Sequence, residues 1–419
     1  MSRKSFIKKT LIAGAVAVAT SLASVTASAQ DTIRVAFIEG LSGPFANAGD
    51  AALKNFVYVS DLINEQGGIN GKKIEIIPYD NKSSPQESLQ ILQKVADQGI
   101  QYITQGNGSH VAGALIQGVN KHNNRNPDSP IVFLNYAAVN PDFTNEDCSF
   151  WHFRFDAHSG MKLQAITDYM AKQEDVKKVF LINQDYSHGQ AVSRIAKEML
   201  ARKRPDVEIV GDVLHPIGKV KDFSPYVSQI KASGADTVIT GNWGNDLSLL
   251  IKAANDAGLE VNFQTYYGGV TGTPTAIGEA GAGRVKMVAE FQENLPTRFN
   301  ATEYEKISRG LKDRYPEIEF LGRAHTQMNL LAMAMEKAGT TEPVAVAKAL
   351  EGLEMDHPFG QVKMRSIDHQ VLQPLFISTF TKDYLAHDTE DTGLGWKMDV
   401  KIESEETAVP TTCEMKRPN

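Results

Sequence analysis

From Thr32 onward, short runs rich in β-branched and aromatic residues alternate with longer stretches whose apolar residues recur every three or four positions. Thr32–Ile38 predicts a strand, and Leu53, Phe56, Val57, Ser60 and Ile63 then fall near helical spacing before the break at Gly67-Gly68. The Asn70-Gly71 turn leads into a second strand over Lys73–Pro78. Ser84-Pro85-Gln86-Glu87 combines a capping box with a proline at the first helical position, and Leu89, Leu92, Val95 and Ala96 share one face of the helix that follows. Tyr102–Gln105 and Ile131–Asn135 are further strands around a helix at 111–122. The pattern restarts after Arg154: helices near 160–173 and 189–203, at Phe223–Ser233 and at Asp246–Ala257 alternate with strands at Val179–Asn183, Glu208–Val213, Thr237–Thr240 and Phe263–Tyr267. Such alternation predicts an α/β protein with two doubly wound lobes, each a parallel sheet covered by helices on both faces. Three helices near 302–314, 323–338 and 342–353 and a strand at Leu375–Phe380 follow. From His387 to Asn419 the chain is charged and weakly periodic, and is expected to lie as irregular chain on the surface.

Residues 1–30 break this pattern. Arg3, Lys4, Lys8 and Lys9 precede the apolar run Leu11–Val25 and then Ala27-Ser28-Ala29, the layout of a secretory signal peptide cleaved before Gln30. The run of about 15 residues is short of the roughly 20 needed to span a bilayer. Export places the only two cysteines, Cys148 and Cys413, in an oxidising compartment, where one disulfide is the expected outcome; two thiols are too few for a closed thiolate metal site.

At 419 residues and 42% hydrophobic, the chain is long and apolar enough to build two cores. Its 43 basic residues stand against 50 acidic ones, a net charge of −7, so no global basic surface exists to gather phosphate backbones, and nucleic acid is not an expected partner. Loss of the leader's cations takes the net charge to about −11.

Catalytic chemistry is hard to find. No HExxH, paired CxxC, Walker-type loop or GxSxG elbow occurs, so no metal, cofactor or nucleophile–base pair is expected and the chain reads as a non-enzyme. Gly106-Asn107-Gly108-Ser109 resembles half of a phosphate-cradling loop but lacks the third glycine, which leaves Ser109 a helix cap or a ligand contact. What stands out is loop placement. Gly40–Gly49, Gly106–His110, Asn135–Pro141, Gln184–Gly189, Gly241–Asn245 and Tyr267–Thr273 all follow predicted strands, the ends at which open α/β sheets bind ligands. Two lobes presenting such edges to one another form a cleft that closes on a solute.

At Leu41-Ser42-Gly43-Pro44, Ile63-Asn64 and Gly67-Gly68-Ile69-Asn70-Gly71 the chain resembles the solute-binding proteins of branched-chain amino acid ABC transporters, the leucine/isoleucine/valine-binding type. Asp80, Pro85, Phe153-Arg154, Tyr186 with Gly189, Asp222-Phe223-Ser224 and Gly234-Ala235-Asp236 extend the likeness over about 32–382. The resemblance implies the type I periplasmic-binding fold: two Rossmann-like lobes joined by a three-stranded hinge near 154–157, 286–292 and 360–370. On that basis residues 1–29 form the signal peptide, 30–155 with 288–363 the first lobe, 156–287 with 364–386 the second, and 387–419 the tail. It also implies a periplasmic, monomeric receptor delivering a small molecule to a permease and ATPase complex in the inner membrane. A sensor of the same fold that signals to a membrane partner is the alternative.

The resemblance carries over to a pocket made by Ser109, Ala137, Ala138, Val139, Tyr186, Trp243, Tyr267, Gly268 and Ala48. Val139 stands where amino acid binders have a carboxylate-holding Thr. Gly268 stands near their acidic partner for the ammonium group, and Ala48 where leucine binders have a bulky aromatic. These departures argue against a small zwitterion, with Asp156 and Asp185 as the acids that could replace the missing one. Tyr186, Trp243 and Tyr267 suit an apolar or aromatic body, and the expected cargo is an amino acid or a related carboxylate, amide or aromatic compound.

Overall fold

The computed structural model describes residues 32–418, so the predicted leader and its cleavage site lie outside the described residues. Two parallel sheets organise the chain. The first runs Ile74–Asp80, Ile33–Glu39, Tyr102–Gln105, Val132–Asn135, His152–Arg154 in spatial order, with every pairing parallel. The second runs Gly395–Ile402, Leu375–Thr381, Val285–Ala289, Asn262–Thr265, Thr237–Thr240, Lys178–Gln184, Glu208–His215; its last five strands are parallel and the first two antiparallel. The fold is therefore α/β with two Rossmann-like lobes, as the alternation predicts.

The strands nearest the site are fully buried, as strands covered on both faces by helices should be. Ser84 caps its helix by accepting from Glu87 N–H at 3.3 Å, with Pro85 at the first helical position. Chain passages between the sheets follow Arg154, follow Ala289 and precede Leu375. Residues 360–370 do not form the third passage. Val362–Met364 and Val371–Leu372 instead join Glu354–Met355 in a small antiparallel sheet that packs on the first lobe's core.

The tail departs from expectation. Gly395–Ile402 pairs antiparallel with Leu375–Thr381 along the sheet edge, and Trp396 is wholly buried. The alternation of Trp396, Met398, Val400 and Ile402 with Lys397, Asp399 and Lys401 is a half-buried strand pattern, hidden by the charges on its outer face. Beyond it, Thr411 Oγ1 donates to Thr144 O at 2.6 Å, and Cys413 is bonded to Cys148, as expected. Among the described residues no helix is long and apolar enough to cross a membrane.

Candidate functional site

Strand order reverses at one place in each parallel array. In the first sheet the reversal lies between Ile33–Glu39 and Tyr102–Gln105, and in the second between Lys178–Gln184 and Thr237–Thr240. Loops leaving neighbouring strands diverge there and open a crevice. The loops concerned carry Ser109, Tyr186 and Trp243, and the two crevices face each other.

Between them lies a cavity of about 110 Å³, several times the space one water needs. Ala48, Ser109, Ala137, Ala138, Val139, Tyr186, Trp243 and Tyr267 all line it. The lobes touch around it. Phe45 stacks on Trp243, His110 meets Tyr186 edge to face at 5.5 Å, and Tyr267 O–H reaches Ala137 O at 3.4 Å. Trp243 Nε1–H donates to the Tyr186 hydroxyl at 2.8 Å, fixing both aromatics in one wall. Trp243 thus faces the cavity instead of packing beneath its own loop.

Each lobe brings a helix start to the cavity. The helix Ser109–Arg125 begins at Gly108 and the helix Ser187–Lys203 at Tyr186, and neither has a side-chain cap, unlike the helix capped by Ser84. Gly108, Ser109 and Tyr186, at these two helix starts, line the cavity, and an uncapped helix N-terminus favours an anion. Ser109 Oγ accepts from Asn140 N–H at 3.2 Å, which leaves its own proton to donate. Arg154, buried between the lobes, donates to Asn140 O at 2.6 Å and to Gln370 Oε1 at 2.7 Å, and so steadies the Val139–Asn140 turn. Beneath the Gly106–Ser109 loop, Glu39 Oε1 accepts from Gly106 N–H at 2.6 Å, Asn107 N–H at 2.8 Å and Tyr136 O–H at 2.7 Å. Burial pushes the Glu39 carboxyl up to about 7 although these donors pull it down. Gly106 permits the close approach: a Cβ there would stand 2.7 Å from Ala137 N.

Gly268 does not line the cavity. A side chain there would run into Thr265 Oγ1 at 2.7 Å and the Trp396 ring at 3.0 Å, so the position faces the core between strand and tail and offers no place for an acid. Asp185 is exposed and accepts from Gln190, and Asp156 is wholly buried with Lys162 Nζ 2.8 Å from each of its oxygens. Neither is among the lining residues.

Acids enter instead from the passage after Ala289. Glu290, Gln292 and Glu293 line the cavity together with Glu319 and Arg323. Arg323 Nη1 lies 3.1 Å from Glu290 Oε1 and 3.9 Å from Asp156 Oδ2, and its guanidinium stands 5.8 Å from the Tyr267 ring centroid. Burial alone would raise the Glu290 carboxyl, but Arg323 and Lys162 hold it below its usual range. Glu293 is pushed well up by burial and by the neighbouring Glu319. The one sequence signal for this wall was a cluster of polar residues, Glu290 to Glu293, directly after an apolar run at an expected hinge crossing. Among the described residues no group of His, Cys, Asp and Glu could hold a metal ion.

Residues 32–384 match the family model described as periplasmic binding protein. The chain is 33% identical to Leu/Ile/Val-binding protein homolog 4 of Brucella abortus across the full length of both. It is 24% identical to the leucine-, isoleucine-, valine-, threonine-, and alanine-binding protein of Pseudomonas aeruginosa, over 80% of this chain and 86% of that one. The solved structure of the binding protein of that same name from Brucella ovis, in its closed conformation, superposes with a TM-score of 0.82 at 30% identity, covering 93% of this chain and all of the other.

Proposed function

Because the chain belongs to the periplasmic binding protein family, whose relatives named above are binding proteins and not enzymes, we propose that it is the soluble receptor of an ABC importer. In this reading it captures a small carboxylate between its lobes in the periplasm and delivers it to a membrane permease with its ATPase. The observation that carries the reading is the joint wall around one cavity: the uncapped helix start at Ser109 from the first lobe, and Trp243 with the uncapped helix start at Tyr186 from the second. The carboxylate sits against Ser109 O–H and the backbone of Ala137–Val139. Its apolar or aromatic body lies along Trp243, Tyr186 and Tyr267.

The names of the relatives suggest aliphatic amino acids. Val139 lacks the hydroxyl such a ligand would use, and Gly268 supplies no acid near its ammonium, so a larger carboxylate or amide fits better. Calorimetric titration with L-leucine, L-valine, benzoate and small amides tests this. Submicromolar binding of leucine or valine, with no response to the others, would contradict it.

A further inference from the structure

The cavity has a second polar pole that the carboxylate seat does not use. Tyr267 separates the two: its hydroxyl lies 3.4 Å from Ala137 O on one side and 3.5 Å from Asp156 Oδ2 on the other, and Arg323 stands beyond. The Arg323–Glu290 pair stands by Asp156, and Tyr267 O–H lies between Asp156 and Ala137. The pair faces the other end of a longer solute.

Its chemistry defines what that end carries. The cations in and behind this wall already face carboxylates: Arg323 faces Glu290, Lys162 faces Asp156, and Lys312 Nζ lies 3.0 Å from Glu319 Oε1. A second carboxylate brought here would meet Glu290, Glu293 and Glu319 with no free cation to face it, which is strongly unfavourable, and an ammonium group, having only donors, would leave the donors of this wall unanswered. Hydrogen-bonding capacity is left over. Gln292 is 2% exposed and its Nε2 has no partner, and Arg323 Nε has none. Glu290 Oε2 accepts only one long bond, at 3.4 Å. Unused donors and an acceptor with capacity left over share this wall, the complement of a group that both accepts and donates without net charge.

We propose that the cargo carries, several bonds from its carboxylate, an uncharged carboxamide or ureido group that accepts from Gln292 and Arg323 and donates to Glu290. This rests on the carboxylate seat described above and adds the distal group to it.

The test is calorimetric titration of the mature protein with four carboxylates of matched length: glutaramate, glutarate, 5-aminopentanoate and hexanoate. A parallel aromatic set comprises 4-carbamoylbenzoate, terephthalate, 4-(aminomethyl)benzoate and 4-methylbenzoate. In at least one set the amide should bind about tenfold more tightly than each of its three counterparts, the effect of one hydrogen bond to a charged group. Gln292→Met and Arg323→Lys should each bring amide and methyl members to within about threefold of one another. Either variant suffices if the other does not fold. Binding of several members with no preference for the amide, or preference for the ammonium or second carboxylate, overturns the distal subsite and leaves the carboxylate seat standing. Failure of every member to bind overturns the carboxylate seat, and the distal subsite falls with it.

Discussion

Phe45, from the first lobe, stacks on Trp243, from the second, with ring centroids 4.1 Å apart and planes inclined by 28°. The pair links the two lobes beside the cavity, and Trp243 is tied in turn to Tyr186. Such stacking contributes about 0.5–1.5 kcal/mol beyond area burial. Phe45→Ala should therefore release ligand several-fold faster with little change in the unfolding temperature of the ligand-free protein, as stopped-flow Trp fluorescence and thermal unfolding would report. An unchanged dissociation rate would remove Phe45 from closure.

In the proposed carboxylate seat Ser109 is the side-chain donor. Ser109→Ala should weaken carboxylate binding by about 1.5–3 kcal/mol, the range for a hydrogen bond to a charged group, while Val139→Thr should improve the affinity for aliphatic amino acids. Gly268→Glu should not help them, since the new side chain would meet Thr265 and Trp396 and lower stability. Calorimetry on the three variants separates these outcomes.

Glu39 gives stability a pH dependence of known sign. Burial raises its carboxyl from 4.5 to about 7, so between these values the folded chain holds a proton that the unfolded chain has released. The group's stabilisation is complete below pH 4.5 and is lost as pH rises through 7, by about 3 kcal/mol in all. Glu39→Gln cannot titrate, so urea unfolding should show wild type losing ground to the variant by about that amount between pH 4.5 and 8. A difference that does not change with pH would refute it.

The Cys148–Cys413 bond closes a loop with a sequence separation of 265 residues and fastens the tail, whose strand belongs to the second lobe's sheet, to the first lobe. In the chain-entropy model such a loop is worth roughly 5 kcal/mol, less any strain. Cys148→Ser with Cys413→Ser should lower unfolding stability by about 2–5 kcal/mol. Two free thiols in the unreduced, unfolded protein would rule the link out.

The architecture was legible because its signals are local. The cap and proline at Ser84-Pro85 place a helix within its own few residues, and the β-rich runs mark strands whose ends carry Ser109, Tyr186 and Trp243. The far wall was not legible. Glu39 gains its role from Gly106 and Asn107, 67 and 68 residues away, and Arg323 meets Glu290 only after the chain has crossed between lobes. Gly268 shows the converse. The resemblance to amino acid binders implies a place near the ligand, but a one-position shift decides whether a loop residue faces cavity or core, and Gly269 is the neighbour that lines the cavity.

The central claim, that the closed cavity holds a carboxylate at Ser109, is tested most directly by thermal unfolding of the mature protein with matched pairs of carboxylic acids and their methyl esters, in wild type and Ser109→Ala. At 100 times its dissociation constant an acid should add about 2.7 kcal/mol, its ester should add far less, and Ser109→Ala should narrow the gap between them. Equal stabilisation by acid and ester, or a gap that Ser109→Ala leaves intact, would contradict the account.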